Sequence, residues 1–252
     1  MWRCSVPVRY PVCALTNRWL RTFIFSTPVR LAFGSTYFAF NGLPPVLGSL
    51  TKLTYLDLSH TLMFGPMNAD RVFSNMQSLQ EIHMGGLAFN ESIPTVISNL
   101  PNLTHFYCEN SNVTETLDFL LDMPSILEIW MDGNPGLTGT IPSAIGDKST
   151  VLQSISFSKC SLKGTIPSEL GNLVALQQLS LSDNMLTGTI PDSLSRLSTF
   201  STFDVSNNLF TGTLPSRMCN VTATAWEELC VDCSEVECCC CSCCTSSTCP
   251  SS

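Results

Sequence analysis

The sequence predicts an α/β solenoid, a protein built by stacking one short strand-and-turn unit many times. Two observations predict this fold class: a period of about 24 residues, and the same apolar, Asn, Gly and Pro positions in each period. The 252-residue chain is 44% hydrophobic and only 13% charged, so it can bury a substantial core and does not have the composition of a disordered chain.

Seven units align on the pattern L-x-x-L-x-L-x-x-N-x-L-x-G-x-I-P, and the best of them runs from Leu176 to Pro191. The units begin at Leu53, Leu79, Leu103, Ile126, Leu152, Leu176 and Phe200. A half unit, from Leu43 to Leu50, precedes them. Each L-x-L segment reads as a short strand with alternate side chains buried. Because no unit can bury its own apolar face, we expect the seven to fold as one stack.

The ninth position of each unit predicts a polar ladder along the stack, in which a side chain bonds the backbone of neighbouring turns. The residues at that position are Thr61, Leu87, Ser111, Asn134, Cys160, Asn184 and Asn208. Small, weakly polar residues can partly replace Asn, but Leu87 cannot hydrogen-bond, so one local break is expected. The Gly that follows permits a tight turn, and the Pro ends backbone pairing.

The repeated residues resemble the leucine-rich repeat family, specifically its plant-type repeat with the L-x-G-x-I-P half. The resemblance covers residues 43–218, about 70% of the chain. It implies a right-handed solenoid of about seven repeats, which presents an extended concave sheet for binding. Plant-type repeats joined to a short cysteine-rich end are similar to secreted or receptor-like leucine-rich repeat proteins of plants and diatom-type algae.

The two ends differ from the repeats. Residues 1–42 are interpreted as an Arg-rich leader, an organelle-targeting segment or a truncated N-terminus, since residues 1–56 hold six basic residues and no acid. Residues 219–252 are predicted to form a cysteine-rich cap followed by a disordered tail. Trp226, Leu229 and Val231 would cover the last repeat. Disulfides that use Cys219, Cys230 and Cys233 would hold this cap.

The cysteines and sequons indicate the compartment. Nine of the 14 cysteines lie between Cys230 and Cys249, a density that oxidising compartments favour. The dense run at residues 238–244 also leaves soft-metal binding or lipid attachment open. Four glycosylation sequons are predicted, at Asn90, Asn102, Asn112 and Asn220. We therefore expect a secreted or cell-surface protein, although no secretory signal is recognisable and no run of 18 apolar residues predicts a membrane span.

Charge and motifs narrow the function. The net charge of −8 argues against nucleic acid as a partner, because phosphate binding needs excess Lys and Arg. We find no nucleophile–base pair, phosphate loop or cofactor motif, so neither an enzyme nor a cofactor is expected. A divalent metal held by Glu81, His83 and His105 remains an alternative, but the sequence does not favour it.

The predicted register also reveals the exposed face of the sheet, because strand side chains alternate between the two faces. Units five to seven present small polar residues there, whereas units one to four present aromatic and acidic residues and all three histidines. Aromatic residues on an exposed strand are typical of binding hot spots. The predicted ligand-binding residues are Tyr55, Asp57, His60, Glu81, His83, His105, Tyr107, Glu128, Trp130 and Asp132.

The resemblance implies a non-catalytic, receptor-like module that binds a protein or peptide ligand on this face. Receptors of this type commonly hold a ligand carboxylate with paired Arg residues. The predicted patch has no Arg or Lys, and Lys159 lies beyond it, so a cationic ligand or a glycan fits better. The alternatives are a structural or adhesive extracellular protein without a specific ligand and an inhibitor of a secreted hydrolase.

Overall fold

The computed structural model describes residues 30–34, 39–64, 69–87, 90–148, 150–219 and 226–238. Within these ranges, nine parallel strands form a main sheet. Each turn of the solenoid, called a coil below, contributes one strand, which pairs with the strand of the next coil. The strands are β1 (Arg30–Ala32), β3 (Tyr55–Asp57), β5 (Glu81–His83), β6 (His105–Tyr107), β8 (Glu128–Trp130), β10 (Ser154–Ser156), β12 (Gln178–Ser180), β14 (Thr202–Asp204) and β17 (Glu228–Cys230). The predicted α/β solenoid is therefore confirmed, with the strands of the seven units side by side.

Most coils continue from their main-sheet strand into a second short strand and a short helix. The shorter strands in the described residues are β2 (Ala39–Asn41), β4 (Leu62–Phe64), β7 (Glu115–Thr116), β9 (Leu137–Gly139), β11 (Ser161–Gly164), β13 (Met185–Gly188), β15 (Leu209–Phe210), β16 (Gly212–Thr213) and β18 (Val236–Glu237). Strands β7, β9, β11, β13 and β15 form a second parallel sheet, whereas β2 pairs with β4 and β16 with β18.

The helical segments are short because each follows a strand by only a few residues before the next coil begins. They are α1 (Ala69–Phe73), α2 (Thr95–Ser98), α3 (Ile145–Lys148), α4 (Ser216–Cys219) and the 3₁₀ helices η1 (Pro45–Ser49), η2 (Leu117–Asp122), η3 (Ser168–Asn172) and η4 (Asp192–Arg196). Several begin directly after a proline of the repeat, such as Pro167 and Pro191, whose extended backbone leads into the turn. No helix among the described residues has the length and hydropathy that crossing a membrane requires.

One continuous core runs along the stack, and the middle residue of each main-sheet strand supplies its central row. These residues are buried and apolar: Leu56, Ile82, Phe106, Ile129, Ile155, Leu179 and Phe203. The flanking residues of the same strands point to the opposite face, as the alternation predicts. That opposite face is called the outer sheet face below.

The polar ladder forms largely as predicted. Asn134 is fully buried; its Nδ2 donates to the carbonyls of Cys108 and Met131 at 2.7 and 2.8 Å. Its Oδ1 accepts from the amides of Ser111 and Val113, both at 3.0 Å. Asn184 and Asn208 also bond the backbone of neighbouring coils, whereas Leu87 is buried without a polar side chain.

The residue before the ladder position has left-handed backbone in every one of the seven units. The residues are His60, Gly86, Asn110, Gly133, Lys159, Asp183 and Asn207, with φ between 50° and 72°. This sharp turn follows the strand and leads the ninth side chain into the core. Glycine adopts it freely and Asn or Asp tolerate it, whereas His60 and Lys159 hold it at a greater cost.

At its N-terminal side, the sheet extends beyond the predicted 43–218 segment. Strand β1 pairs in register with β3, so Leu31 lies beside Leu56 in the core. Phe33 is buried as well, and the amide of Phe33 donates to the carbonyl of Asp57 at 2.8 Å. A further main-sheet strand therefore precedes the first predicted unit, where the sequence analysis placed only a half unit.

At the C-terminal side, β17 adds a further strand beside β14, pairing Leu229 with Phe203. Leu229 and Val231 are fully buried. The Trp226 indole donates from Nε1 to the carbonyl of Met218 at 2.8 Å, and its ring centroid lies 5.6 Å from that of Phe200. These contacts cover the apolar end of the stack, as the sequence analysis expected of Trp226, Leu229 and Val231.

Several predictions concern residues outside the described ones. They include the leader within residues 1–29, the sequon at Asn220 and the cysteine run after Cys238, together with the side chain of Cys219. Among the cysteines that the structure describes, Cys108 and Cys160 are free thiols. Burial raises the pKa of the Cys108 thiol to about 12 and that of Cys160 to about 11, so both remain protonated at neutral pH.

Candidate functional site

The outer sheet face of β3, β5, β6 and β8 brings the predicted site residues together in two lanes. In one lane Tyr55, Glu81, His105 and Glu128 follow one another on neighbouring strands. In the other lane Asp57, His83, Tyr107 and Trp130 do the same. Adjacent strands lie about 4.8 Å apart, so neighbours within a lane are in contact range. The predicted register is confirmed at every one of these pairs.

Aromatic rings form a continuous row across this face. The Tyr55 and His83 centroids are 5.3 Å apart, and those of His83 and Tyr107 are 4.5 Å apart with an angle of 30° between the planes. Tyr107 then meets Trp130 at 5.2 Å in an edge-to-face arrangement. The four side chains are half-buried rather than fully exposed, because each is partly covered by the next. The row is thus a preformed, rigid surface.

A guanidinium group lies at one end of the row. The Arg30 Cζ is 3.9 Å from the centroid of the Tyr55 ring, within the range of a cation–π contact. Burial is the main cause of a raised pKa for the Tyr55 hydroxyl, and the charges of Asp57 and Glu81 add to it. This end of the sheet therefore holds a positive group against an aromatic ring within an acidic environment.

The carboxylates of this face bond to aromatic and imidazole groups. Glu81 Oε1 is 2.7 Å from His83 Nε2 on the same strand, while Glu128 Oε1 is 3.9 Å from His105 Nε2 on the neighbouring strand. In the sheet register His105 lies between Glu81 and Glu128. The Glu81 carboxylate nevertheless bonds His83, because residues two apart on a strand share a face.

Glu128 has a second partner in Tyr107, whose hydroxyl donates to Glu128 Oε2 at 2.8 Å. Burial and this hydrogen bond to a carboxylate raise the pKa of the Tyr107 hydroxyl well above its ordinary value of 10.0. Tyr107 therefore remains a neutral donor at every physiological pH. The Trp130 indole is fixed similarly, because its Nε1 donates to Ser154 Oγ at 2.9 Å.

The polar residues of units five to seven are less exposed than the alternation predicts. Ser154 and Ser156 are both buried, because the larger side chains of the preceding coil lie over them. Ser156 Oγ lies 2.8 Å from both carboxylate oxygens of Asp132, and the Ser158 amide donates to Asp132 Oδ1 at 2.6 Å. The aromatic and acidic surface thus ends at β10, where its side chains rest on small serines.

A polar depression of about 400 Å³ lies at the edge of the outer sheet face where the strands end. Its lining residues are Ser59, His60, His83, Gly85, Glu109, Asn110 and Asp132. Three of these were predicted as site residues. Ser59, Gly85, Glu109 and Asn110 were not, although they occupy the seventh and eighth positions of their units, which the register marks as outward.

Two carboxylates of the depression are partly withdrawn from water. Burial raises the pKa of Glu109 and of Asp132, and the negative charge of Asp132 raises that of Glu109 further. The hydrogen bonds from Ser156 and Ser158 oppose the shift at Asp132. Asp57 is engaged elsewhere, since its Oδ1 accepts from the amide and hydroxyl of Ser59 at 2.9 and 2.5 Å.

The other predicted groups are placed as follows. The described sequons at Asn90, Asn102 and Asn112 are exposed and lie outside the main-sheet strands. Asn102 Nδ2 donates to the Gln77 carbonyl at 2.7 Å, and Asn112 bonds the side chain of Asn90. Within the described ranges, no three His, Cys, Asp or Glu side chains are grouped closely enough to hold a metal ion.

The fold and the repeat pattern together define a leucine-rich repeat solenoid of the plant type. Residues 151–173 and 175–197 each match the family model "Leucine Rich Repeat". These are the fifth and sixth predicted units.

Particular relatives are plant receptor proteins. The chain is similar to Receptor-like protein 6 of Arabidopsis thaliana, with 32% identity over 133 residues, 49% of this chain and 13% of that protein. Among solved structures it is similar to the Arabidopsis receptor kinase HAESA in complex with the peptide hormone IDA and the co-receptor SERK1, with a TM-score of 0.73 and 27% identity over 84% of this chain and 35% of that one.

A further similar structure is the ectodomain of the Arabidopsis thaliana receptor kinase GASSHO1/SCHENGEN3 in complex with CASPARIAN STRIP INTEGRITY FACTOR 2. Its TM-score is 0.69, with 27% identity over 82% of this chain and 24% of that one. The chain therefore spans about a quarter to a third of these solved ectodomains and a smaller part of the curated relative.

Proposed function

We propose that this protein is a non-catalytic recognition module that binds a peptide or protein segment along the outer sheet face of β3 to β8. The observation that carries the proposal is the aromatic row of Tyr55, His83, Tyr107 and Trp130, which is rigid, half-exposed and bordered by carboxylates. Rigid aromatic side chains bind with little loss of conformational entropy and dominate binding energy at interfaces. Two similar ectodomains were solved with peptide or protein ligands.

The ligand that fits this surface is cationic. The charged side chains of the surface are the carboxylates of Asp57, Glu81, Glu109, Glu128 and Asp132, and three histidines lie among them. Of the described Lys and Arg residues, Arg30 contacts the row only at Tyr55, and Lys159 lies beyond Asp132. Complementary charge steers association and rejects acidic partners. A glycan stacked on the rings is the competing ligand class, and it would bind without regard to ionic strength.

The proposed location is extracellular or at the cell surface, with the cap held by disulfides. Supporting this, Cys230, Cys233 and Cys238 stand within nine residues of one another in the cap, whereas Cys108 and Cys160 within the stack are free thiols. The three described sequons leave the outer sheet face bare, so glycans there would not obstruct a ligand. Cys219 is the predicted further partner in these disulfides.

The test is selection of a random 12-residue peptide display library on the purified protein, against the Trp130→Ala variant. Trp130 and Tyr107 each contribute a half-exposed ring, so either alanine variant should weaken selected peptides by more than about tenfold. Gln178→Ala is the matched control, since Gln178 holds the third position of unit six beyond the aromatic row. Each variant must unfold at nearly the same denaturant concentration as the wild type, because the substitutions are made at the surface.

We expect the selected peptides to carry net positive charge and to lose affinity in high salt. Equal binding to the wild type and to the Trp130→Ala variant would refute recognition at this face. Failure to select any peptide, together with binding of neutral oligosaccharides by the same rings, would favour the glycan alternative.

A further inference from the structure

The edge depression exists because two consecutive glycines interrupt the row of side chains at the strand ends. Gly85 and Gly86 are the seventh and eighth residues of unit two, the single unit of the seven with glycine at both positions. A Cβ at Gly86 would collide with the His60 imidazole, and a Cβ at Gly85 would lie 2.9 Å from Glu109 Oε2. The imidazole and the carboxylate therefore lean over the glycines from the two neighbouring coils.

The walls of the depression combine negative charge with a flat ring. Glu109 and Asp132 line it together with the His83 ring, whose centroid lies 4.5 Å from that of Tyr107. The ion pairs recorded in the described residues join His83 to Glu81 and His105 to Glu128, so neither carboxylate of the depression is paired in this way. Burial already raises the pKa of both, which means that their charges are poorly solvated.

The outer sheet face already accommodates one positive group within the chain itself. Arg30 places its guanidinium 3.9 Å from the Tyr55 centroid, at the first ring of the row that His83 continues. A planar guanidinium suits such a place, since it stacks on a ring with its face and donates hydrogen bonds from its edge. A compact ammonium gains the charge interaction but not the stacking or the paired hydrogen bonds.

We propose that the depression between His60, Glu109 and Asp132 is the subsite for an arginine side chain of the bound ligand. The inference rests on the proposed function, because the aromatic row would hold the rest of the peptide. In this subsite the guanidinium lies against the His83 ring, donates to the Glu109 carboxylate and completes the solvation of Asp132. The glycine pair gives the His60 ring and the Glu109 carboxylate the room to lie over the strand ends, where they help to line the depression.

The first measurement uses three short probe peptides: acetyl-Gly-Gly-Arg-Gly-Gly-amide and its Lys and citrulline counterparts. Citrulline keeps the shape of arginine without the charge. Each is titrated into the full chain while the imidazole resonances of His60 and His83 are followed by NMR. We expect saturable shifts with the Arg peptide, binding about tenfold weaker with Lys, and no saturation with citrulline. Equal affinities for Arg and Lys would overturn the selectivity for guanidinium.

Two variants locate the effect. Glu109→Gln keeps the shape of the side chain and removes its charge, and should weaken the Arg peptide by about tenfold. Gly85→Val displaces the Glu109 carboxylate, because a Cβ at this position would lie 2.9 Å from Glu109 Oε2, and should abolish the shifts. The control is Asp183→Asn, which removes one negative charge three units away at a position where Asn tolerates the left-handed backbone. An unchanged affinity in Glu109→Gln would refute the subsite.

These experiments distinguish failure of the arginine subsite from failure of the proposed function. If the peptides selected on the protein need Trp130 but contain no enriched arginine and ignore Glu109→Gln, the subsite is refuted while recognition at the outer sheet face stands. If no peptide depends on Trp130, the recognition module itself fails. A shift caused by the citrulline peptide as strong as that by the Arg peptide would indicate a polar site without charge selection and would overturn the proposal.

Discussion

Replacing Asn134 with alanine tests how the stack holds its strands in register. Asn134 is fully buried and makes four hydrogen bonds through one side chain, two as a donor and two as an acceptor. Its partners are Cys108, Ser111 and Val113 in the preceding coil and Met131 in its own coil. Alanine fills none of these roles, because its methyl group neither donates nor accepts a hydrogen bond.

The magnitude follows from the groups left behind. The amides of Ser111 and Val113 are bonded by Asn134 Oδ1, so both lose their partner in the interior. An unsatisfied buried donor costs about 1–3 kcal/mol, so the pair predicts a loss of about 2–6 kcal/mol in the free energy of unfolding. Domains of this size are stable by only about 5–15 kcal/mol, so the variant should be marginal.

The assay is equilibrium urea unfolding monitored by circular dichroism, with two matched variants at the same ladder position. Ser111→Ala removes the bond from Ser111 Oγ to the Met84 carbonyl at 2.8 Å, and Cys160→Ala removes a weak sulfur contact of 3.5 Å to the Met131 carbonyl. The loss of stability should decrease in the order Asn134, Ser111, Cys160. An Asn134→Ala variant as stable as Cys160→Ala would show that the ladder is not what holds neighbouring coils together.

Three further predictions concern charge and the cap. Because burial raises the pKa of Glu109 above its ordinary 4.5, its ionisation destabilises the folded state. Glu109→Gln should therefore raise the urea midpoint at pH 7, by an amount that shrinks as the pH falls through the raised pKa and is absent below 4.5. Affinity for the Arg peptide should fall over the same acidic window as Glu109 and Asp132 become protonated, which NMR titration at several pH values checks. Reduction of the disulfides proposed for the cap should lower the free energy of unfolding by about 2–5 kcal/mol, and intact mass with and without reduction counts the bonds.

The repeat pattern predicted the main sheet well because the signal has two parts. The period places equivalent residues on neighbouring strands, and the two-residue alternation decides which of them face outward. Both lanes of the outer sheet face follow from these two rules alone. The first coil was missed because Pro28, not Leu, stands at the position that opens a unit, although Leu31 occupies the next apolar position of the pattern.

Contacts between individual side chains were harder to predict from the sequence than the register of the strands. Register predicted that Glu81 and His105 are neighbours, but a carboxylate can reach along its own strand as easily as across, and it bonds His83 at 2.7 Å. The burial of Ser156 depends on the size of the side chains in the preceding coil, which the period does not encode. Glu109 belongs to the depression because Gly85 leaves room beside it, and such a gap is visible only when three coils are stacked.

The left-handed turn at the eighth position limits how this surface can diversify. In seven coils that position borders the outer sheet face, yet its backbone admits Gly, Asn and Asp easily and other side chains only at a cost. The third and fifth positions carry no such restriction, since extended backbone accepts any residue. New specificities are therefore expected to arise by substitution within the strands, while the edge offers a narrow set of small polar groups. His60 is a bulky exception at this position. Its replacement by Gly or Asn should stabilise the protein, but the depression would lose a side chain that helps to enclose it.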